Sequence, residues 1–402
     1  MTHDLTADIV ADILSLVNHE TSSHDLPGLA AGLDHLRDLA TARLGPPDVR
    51  RRHRGDGHGD TATLTYTGTR PGHVALIGHY DTVWPTGTLT DWAPPAAGGR
   101  TKLGGPGIFD MKTGLAQGIW ALKLTRDAGG PVPTVTFVFN GDEEIGSPSS
   151  RPIIERTAAE ADATLVLEPS ADGAVKTARK GTGTFTVTAT GIESHAGLAP
   201  EAGASAVHAL AEFVTAASAV AAPDAGTTVN VGLINGGTGA NVVAGRATAT
   251  IDVRVRTQLE KDRVDAELKA IKTSDPRVRI DIAHGWNRPP MTLNAASARL
   301  LDLARAAAQD HGHDLRDAAV GGASDANFVA ALGLPVLCGL GAVGGGAHAR
   351  DEFIYPDTVQ PRTTLLAGLL TRLATWTRSP LLDLRSGVAG RPHPGALPPA
   401  SH

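Results

Sequence analysis

The sequence predicts a two-domain α/β protein, in which a mainly parallel sheet covered by helices is interrupted by a smaller inserted α+β unit. Length is the first observation, because 402 residues exceed what one ordinary hydrophobic core contains. Second, short apolar runs alternate with segments of helical periodicity before residue 170, which is typical of a parallel sheet. Third, the pattern changes near residue 180 to strands in which polar and apolar residues alternate.

The first part of the chain contains four predicted strands and four predicted helices. Each strand is a short run rich in apolar or β-branched residues, and each helix places aliphatic residues on one face. The polar sequence at 51–60, which includes His53 and His58, is predicted to be a solvent-facing loop. The strands are predicted at 62–66, 73–78, 134–140 and 163–167, and the helices at about 7–18, 28–43, 112–127 and 151–161.

The inserted unit has the order β-α-β-β-α-β of a ferredoxin-like fold. Its strands are predicted at 183–190, 227–234, 247–256 and 277–283, and its helices at about 203–222 and 258–272. Helices at about 294–311, 324–332 and 361–377 and a strand at 335–339 complete the larger domain. The predicted domain boundaries are 1–179 and 289–378 for the larger domain, 180–288 for the insertion, and 379–402 for a disordered tail with five prolines.

The composition argues against several classes of function. The net charge is −6, 19% of the residues are charged, and no basic stripe suggests a nucleic-acid partner. No apolar run approaches the ~20 residues of a membrane span. The N-terminus lacks the cationic region of a signal peptide, so a cytoplasmic protein is predicted. Cys338 is the only cysteine, so a metal site cannot depend on several thiolates.

The stretch 74–81, V-A-L-I-G-H-Y-D, has two polar residues at the end of a predicted strand. Side chains alternate along a strand, so His79 and Asp81 point to the same side. Ligands of open α/β sheets bind at the carboxyl ends of the strands. A carboxylate beside a histidine can also hold the second ring nitrogen of a metal ligand. Alone, H-x-D is weak evidence, because two polar residues at a surface strand end are common.

Further polar residues follow other predicted strands or turns. Asp110 follows a glycine-rich turn, Glu143 and Glu144 follow the strand at 134–140, and Glu168 and His348 follow two others. Carboxylates that converge in this way raise one another's pKa unless a cation compensates them. Two histidines with several carboxylates suit Zn²⁺ or a similar cation, and their number fits two metals that share one carboxylate. Of Glu143 and Glu144, one is expected to be a ligand and the other a general base.

These residues lie in motifs that occur together, in order, from about residue 13 to residue 375. The motifs are G-H-Y-D-T-V, G-P-G-I-F-D-M-K, N-G-D-E-E-I-G-S, L-E-P-S, S-H-A-G-L-A-P-E and G-A-H-A-R-D-E-F. The sequence resembles the zinc aminoacylase/carboxypeptidase family of co-catalytic metallopeptidases, and most of all its glutamate carboxypeptidase branch. Each motif alone is modest evidence, whereas the ordered set is highly specific. The resemblance implies an α/β/α zinc-peptidase domain with an inserted lid and dimerisation domain.

The resemblance also implies the ligands of two zinc ions per subunit, for which Co²⁺ or Mn²⁺ could substitute. Asp110 would bridge both ions. His79 and Glu168 would complete one site, and Glu144 and His348 the other.

Two further residues of the centre have roles by the same resemblance. Asp81 would orient the ligand histidine, and Glu143 would be the general base that takes a proton from the attacking water. Family members often have a cis peptide bond after the bridging aspartate. We therefore expect one between Asp110 and Met111.

In the inserted domain, His195 matches a histidine that reaches the partner subunit's site and stabilises the oxyanion. Without the resemblance, this residue would be interpreted as a turn histidine. Asn241 and Arg254 match residues that bind the terminal carboxylate of the substrate, although Arg254 could equally form a cross-strand ion pair. The resemblance therefore implies a homodimer formed through the inserted domains.

Three more positions bear on specificity. Gly322 matches a backbone contact near the substrate carboxylate. Lys176 and Arg288 occupy positions where glutamate-releasing members carry basic groups, and together they favour a C-terminal glutamate or aspartate. Each of the two alone could equally be a solvated surface charge.

The function predicted from these residues is hydrolysis of an amide bond to a C-terminal amino acid with a free carboxylate, with glutamate preferred. The substrate would be a small peptide or an N-acyl amino acid. The same residues would also serve other hydrolases, so three alternative functions remain. They are an N-acyl-amino-acid deacylase, a biosynthetic deprotecting amidase and a dipeptidase. A non-catalytic binding or scaffold relative is the remaining alternative, and it would be expected to lack some of the ligands.

Overall fold

The computed structural model describes residues 4–92 and 99–378, so the predicted tail at 379–402 lies outside the described residues. Within the described ranges, no helix is both long and apolar enough to span a membrane. The helices of these ranges are α1 (Thr6–Val17), α2 (Leu26–Leu44), α3 (Thr113–Asp127), α4 (Arg151–Glu160), α5 (Ala206–Ser218), α6 (Gln258–Ala270), α7 (Ala295–Gln309), α8 (Ala326–Ala331) and α9 (Val359–Leu373).

The strands form two large sheets and two small ones. In the first half of the chain they are β1 (Val49–His53), β2 (Thr61–Tyr66), β3 (His73–His79), β4 (Leu103–Gly104), β5 (Thr134–Asn140), β6 (Ala163–Val166), β7 (Val175–Arg179), β8 (Gly181–Thr190) and β9 (Ser194–His195). In the second half they are β10 (Thr228–Gly236), β11 (Val242–Val243), β12 (Arg246–Val255), β13 (Arg279–Arg288), β14 (Asp317–Val320), β15 (Val336–Cys338), β16 (Gly344–Gly345) and β17 (Phe353–Ile354).

The larger sheet has the order β1-β2-β5-β3-β6-β15-β7-β14. Strand β3 lies between β5 and β6 and is parallel to both, and β15 is parallel to β6. Every residue of β3 and β5 except the first is buried, which explains the continuous apolar run at 74–77 in β3. The mainly parallel sheet predicted from these runs is confirmed. Its carboxyl strand ends lie side by side, where a ligand site is expected.

Residues 181–288, called here the inserted segment, form a separate antiparallel sheet of order β10-β12-β8-β13. Helices α5 and α6 cover it, and their apolar residues share a second core with Phe185, Val187 and Ile251 of the strands. Strand β8 alternates between buried and more exposed residues along its whole length, which is the pattern that predicted it. The ferredoxin-like prediction is confirmed.

Three strands of the larger sheet differ from the prediction or were not predicted. The loop prediction for 51–60 is wrong at its start, because β1 pairs with β2 at the edge of the sheet. Its sequence V-R-R-R-H lacks apolar alternation, since four of its five residues are exposed and charged side chains are favoured on edge strands. Strands β7 and β14, at the opposite edge, are only five and four residues long and were not predicted.

The two connections to the inserted segment leave the larger sheet side by side. The backbones of Arg179 and Met291 exchange two N–H···O hydrogen bonds of 3.0 Å. The side-chain amide of Asn327, at the start of α8, donates to the carbonyl oxygens of Lys180 (3.1 Å) and Pro289 (2.7 Å). One buried side chain therefore holds both the incoming and the outgoing strand.

Candidate metal centre

Five predicted ligands meet at the carboxyl edge of the larger sheet. His79 is the last residue of β3, Glu144 follows β5, and Glu168 follows β6. Asp110 lies in the turn Ile108–Lys112 before α3, and His348 lies in the loop after β15. The peptide bond between Asp110 and Met111 is cis, as expected. Strand ends and two loops thus place side chains from five separate parts of the chain together.

The distances divide these side chains into two groups around Asp110. Its Oδ1 lies 3.2 Å from Nε2 of His79, and its Oδ2 lies 3.8 Å from Nε2 of His348. On the first side, Glu168 Oε1 is 3.8 Å from Nε2 of His79. On the second side, Glu144 Oε2 is 3.1 Å from Nε2 of His348. Ligand atoms of His79, Asp110 and Glu144 all lie within 4.8 Å of one another.

The electrostatics of this cluster favour a bound cation. Burial raises the pKa of Glu144 to about 7, although the hydrogen bond to His348 opposes the shift. The same hydrogen bond raises the pKa of His348 to about 9. A cation bound between the two groups would stabilise the ionised carboxylate and the neutral imidazole, the forms that bind metal. Two imidazoles and three carboxylates are a ligand set that fits Zn²⁺ and related first-row ions.

Asp81 is fully buried and connects the first group to the turn that carries the two glutamates. Its carbonyl oxygen lies 3.0 Å from Nδ1 of His79, so that nitrogen must donate and Nε2 is left free to bind a metal. The carboxylate of Asp81 accepts from the backbone N–H groups of Glu143 and Glu144, each at 3.2 Å, and from Ser23 Oγ at 2.8 Å.

Glu143 contacts a buried arginine. Its Oε1 lies 2.8 Å from Nη2 of Arg288, and Nη1 of the same guanidinium lies 2.8 Å from Asp325 Oδ1. Burial raises the pKa of Glu143 well above its usual value, and Arg288 opposes this shift. Arg288 is 4% exposed. It is therefore not a solvated surface charge, and its guanidinium lies beside the predicted general base.

Glu352 was missed by the sequence analysis, although it fixes the turn that carries Asp110. Its Oε1 accepts from the backbone N–H groups of Phe109 (2.8 Å) and Asp110 (3.0 Å). Its Oε2 accepts from the N–H of Gly107 (3.1 Å) and from Trp84 Nε1 (3.0 Å). The motif that contains His348 also contains this glutamate, which was the signal that could have identified it.

The predicted residues of the inserted segment lie on its own surface. Both Gly197 and Leu198 donate their backbone N–H to Nδ1 of His195 at 3.1 Å, which leaves Nε2 to carry the proton. His195 as a whole is exposed. Asn241 is exposed as well, and its carbonyl oxygen accepts from Ala196. The contacts described for these residues are within the inserted segment, and none joins them to the ligand cluster.

An open groove of about 690 Å³ extends from Glu144 across the face of the inserted sheet to Arg254. Nε of Arg254 lies 2.9 Å from Asp252 Oδ1, so the cross-strand alternative is partly right: the ion pair exists, but within one strand. Lys176 lies nearer the cluster. Burial lowers the pKa of Lys176, and the charges of Glu168 and Asp110 only partly oppose this shift.

Gly322 and Arg179 lie on the other side of Glu168. The carbonyl oxygen of Gly322 accepts from Nη1 of Arg179 at 3.0 Å, and Nη2 of Arg179 lies 3.0 Å from Glu168 Oε2. The sequence analysis missed Arg179, because it ends a short strand without clear alternation. It likewise missed Asp325, although the motif around Gly322 contains it.

Comparison with known proteins shows the family of this chain. The model of peptidase family M20/M25/M40 matches residues 75–372, which include every residue of the cluster. The chain belongs to this family. Carboxypeptidase G2 of Pseudomonas sp. (strain RS-16) is 30% identical to it over 377 residues, which are 91% of this chain and 89% of that protein. Succinyl-diaminopimelate desuccinylase of Bradyrhizobium sp. (strain ORS 278) is 29% identical over 332 residues, or 76% and 84% of the two chains.

Solved structures of two peptidases share the fold. Aminopeptidase PepT from Bacillus cereus matches 92% of this chain and 99% of its own, with a TM-score of 0.75 and 22% identity. The M20 family metallo-carboxypeptidase Sso-CP2 from Sulfolobus solfataricus matches 91% and 99%, with a TM-score of 0.71 and 17% identity. The predicted family and fold are thus confirmed, and the protein is a hydrolytic, metal-dependent enzyme of the M20 family.

Proposed function

We propose that this protein is a two-zinc exopeptidase or amidase, which cleaves the amide bond to a C-terminal amino acid with a free carboxylate, preferably glutamate. The observation that carries the proposal is the position of Asp110, whose two oxygens face His79 on one side and His348 on the other. A carboxylate so placed can bridge two ions at the roughly 3.5–4 Å separation of two-metal hydrolases. The likeness to carboxypeptidase G2 supports the preference for a C-terminal residue.

The two groups of side chains around Asp110 would each bind one ion. His79 and Glu168 would hold one ion, Glu144 and His348 would hold the other, and Asp110 would contact both. Bound zinc would polarise the scissile carbonyl and lower the pKa of the attacking water. Co²⁺ or Mn²⁺ would substitute, because both accept nitrogen and oxygen ligands.

Glu143 would move the proton. A carboxylate whose pKa is raised by burial is a stronger base, so it can accept a proton from the attacking water and later return it to the leaving nitrogen. Asp81 supports this role indirectly, because it holds the backbone N–H of Glu143 and of the neighbouring ligand.

The positions of the two arginines favour an exchange of the roles that the resemblance implied for them. The terminal carboxylate lies one carbon from the nitrogen that Glu143 must protonate. Arg288 contacts Glu143, so it is the better placed of the two to bind that carboxylate, with one N–H group held by Asp325. Arg254 lines the groove farther from the base, where it could bind the acidic side chain together with Lys176. Gly322 and Asn241 remain proposed contacts of the substrate.

The general-base assignment is tested by comparing two neighbouring substitutions. Glu143→Ala should keep the zinc content and lower kcat by about 10²–10⁴-fold, the usual contribution of proton transfer. Glu144→Ala should lose zinc, because it removes a ligand. Full activity of zinc-loaded Glu143→Ala protein would contradict the proposal.

A deacylase or deprotecting amidase is the second candidate function, and the desuccinylase relatives favour it. A dipeptidase would use the same residues. A panel of N-acyl and peptidyl amino acids, ranked by kcat/KM, separates these functions. Preference for an acidic residue on the carboxylate side supports the first proposal, whereas preference set by the acyl group supports the second. A binding or scaffold role would require zinc well below one ion per chain and no hydrolysis.

We further propose that the enzyme is a homodimer formed through the inserted segment, which corresponds to the domain predicted at 180–288. Strand β10 is an edge strand of nine residues without a charged side chain, and its Leu233 and Ile234 are 63% and 57% exposed. Such an edge favours pairing with a second chain. The opposite edge strand, β13, carries Arg279, Asp281 and Arg288.

Leu233→Lys tests the dimer against a matched control. The substitution should give a sedimentation mass of one chain, because a lysine on an edge strand opposes pairing. Leu259, on α6 of the same segment, is 77% exposed, and Leu259→Lys should leave the mass unchanged. A wild-type mass of one chain in an active preparation would contradict the proposal.

A further inference from the structure

Arg179 is a buried cation whose three side-chain nitrogens are all hydrogen-bonded. The residue is 4% exposed. Nη1 donates to the carbonyl oxygens of Gly322 (3.0 Å) and Ala323 (3.1 Å). Nη2 donates to Glu168 Oε2 at 3.0 Å and contacts Cys338 Sγ at 3.2 Å, and Nε lies 3.3 Å from the same sulfur. Among the residues that the structure describes, Glu168 is the one carboxylate that forms an ion pair with this guanidinium.

The contact with Glu168 is made on one side of the carboxylate. Oε2 accepts from Arg179, whereas Oε1 faces Nε2 of His79 at 3.8 Å. Glu168 is itself 6% exposed, so water has little access to either oxygen. The guanidinium therefore fixes the rotation of the carboxylate and leaves a single oxygen directed at the ligand cluster.

The same guanidinium fixes a second element of the site. Its bonds to the carbonyls of Gly322 and Ala323 hold the segment that leads into Asp325, and Asp325 in turn binds Arg288. Backbone hydrogen bonds to Met291 anchor Arg179 where the inserted segment begins. Arg179 thus lies between a ligand on one side and the arginine beside the general base on the other.

We propose that Arg179 is a positioning residue, which holds Glu168 in the geometry for binding one of the two metal ions and keeps the Gly322 loop in place. The inference rests on the proposed two-zinc function. Lysine cannot replace this arginine, because a single ammonium cannot span a carboxylate, two carbonyls and a sulfur. Partners of metal ligands typically contribute about 10–100-fold to metal affinity.

Competitive titration of the apoenzyme with zinc and a chromophoric chelator tests the proposal. In Arg179→Lys, the affinity of one of the two sites should fall by about 10–100-fold while the other is retained. Arg179→Met should weaken the same site at least as much. At saturating zinc, KM should also rise for a substrate with a free carboxylate, because the Gly322 loop is no longer held.

Arg43 provides a matched control. Arg43 forms an ion pair with the buried carboxylate of Asp12 through two hydrogen bonds of 2.7 Å. The two residues lie on α2 and α1 and are not part of the ligand cluster. Arg43→Lys should lower the urea midpoint of the apoenzyme without changing either zinc affinity. If Arg179→Lys behaves in the same way, its role is structural only and the proposal is overturned.

A failure of the positioning role of Arg179 can be distinguished from a failure of the two-zinc proposal. A wild-type enzyme that binds a single zinc would defeat the two-metal function, and the Arg179 effect would then be measured on that one ion. An unchanged affinity in folded Arg179→Lys protein overturns the positioning role whatever the number of ions. Where Arg179→Met does not fold, Arg179→Lys alone decides, because it retains the charge.

Discussion

Nη2 of Arg288 lies 2.8 Å from Oε1 of Glu143, so a buried arginine and the proposed general base are direct partners. The arginine opposes the pKa shift that burial imposes on Glu143. Since Asp325 holds Nη1, the guanidinium can release Glu143 and bind a substrate carboxylate without leaving its place. With the roles proposed for the two residues, this pair would join substrate binding to proton transfer.

Arg288→Lys is predicted to lower kcat/KM about 10–100-fold for substrates with a free C-terminal carboxylate, since a hydrogen bond to a charged group contributes roughly 1.5–3 kcal/mol. For the matching C-terminal amides, which lack that charge, the decrease should be much smaller. Arg305→Lys is the control, because Arg305 forms its ion pair with Asp317 at the surface. An equal loss on both substrate classes would show that Arg288 does not bind the carboxylate.

Glu352→Gln is predicted to destabilise the protein, because an amide nitrogen would face two N–H donors whichever way the side chain turns. Each buried donor left without an acceptor costs about 1–3 kcal/mol. Urea unfolding of the apoenzyme measures the loss. Glu267, which pairs with Arg263 on an exposed face of α6, is the control, and Glu267→Gln should stay within about 0.5 kcal/mol of wild type. Equal stability of the two variants would exclude the anchoring role of Glu352.

Zinc is predicted to raise the melting temperature in a concentration-dependent way, and chelation should reverse the effect. A ligand that binds only the folded state stabilises it by about 2.7 kcal/mol at a hundred times its Kd. The cluster brings together Glu144, Asp110 and Glu168, whose repulsion is relieved by a cation. Magnesium should have less effect, because imidazole suits it poorly. A melting curve that chelators and zinc both leave unchanged would contradict a metal centre.

The pH dependence of stability is predicted to involve a pair of stacked histidines outside the metal centre. The rings of His19 and His35 are 4.0 Å apart, and burial together with the charge of His19 lowers the pKa of His35. The unfolded chain then binds a proton more readily, so this contribution is complete above about pH 6.5 and is lost as the pH falls through the lowered pKa. His35→Gln should remove that loss. Urea unfolding of both apo proteins at pH 7.5 and 5 measures it, and parallel decreases would contradict the prediction.

Sequence reasoning found the residues of the centre that follow visible apolar strands. His79 ends the apolar run of β3 and Glu144 lies a few residues after β5, and their convergence follows from the parallel sheet. The order of the inserted segment was equally readable, because its strands alternate.

The residues that support the centre could not be found in this way. Arg179 ends a five-residue strand with two basic residues, and such a sequence does not reveal that a carboxylate and two carbonyls surround it. Arg288, which only the resemblance singled out, and Glu352 are charged residues in segments that resemble surface, yet both are almost fully buried. Their burial depends on partners more than 100 positions away in the chain, which no local pattern encodes.

The two hydrogen bonds that Asn327 donates to Lys180 and Pro289 hold both ends of the inserted segment at one place on the larger domain. Both of its covalent connections leave the catalytic sheet at one point, so residues 182–286 could be replaced or shortened without breaking a strand of that sheet. All five proposed ligands and the proposed general base lie outside this range. The inserted segment can therefore change in length or sequence while the proposed metal centre keeps its place on the larger sheet.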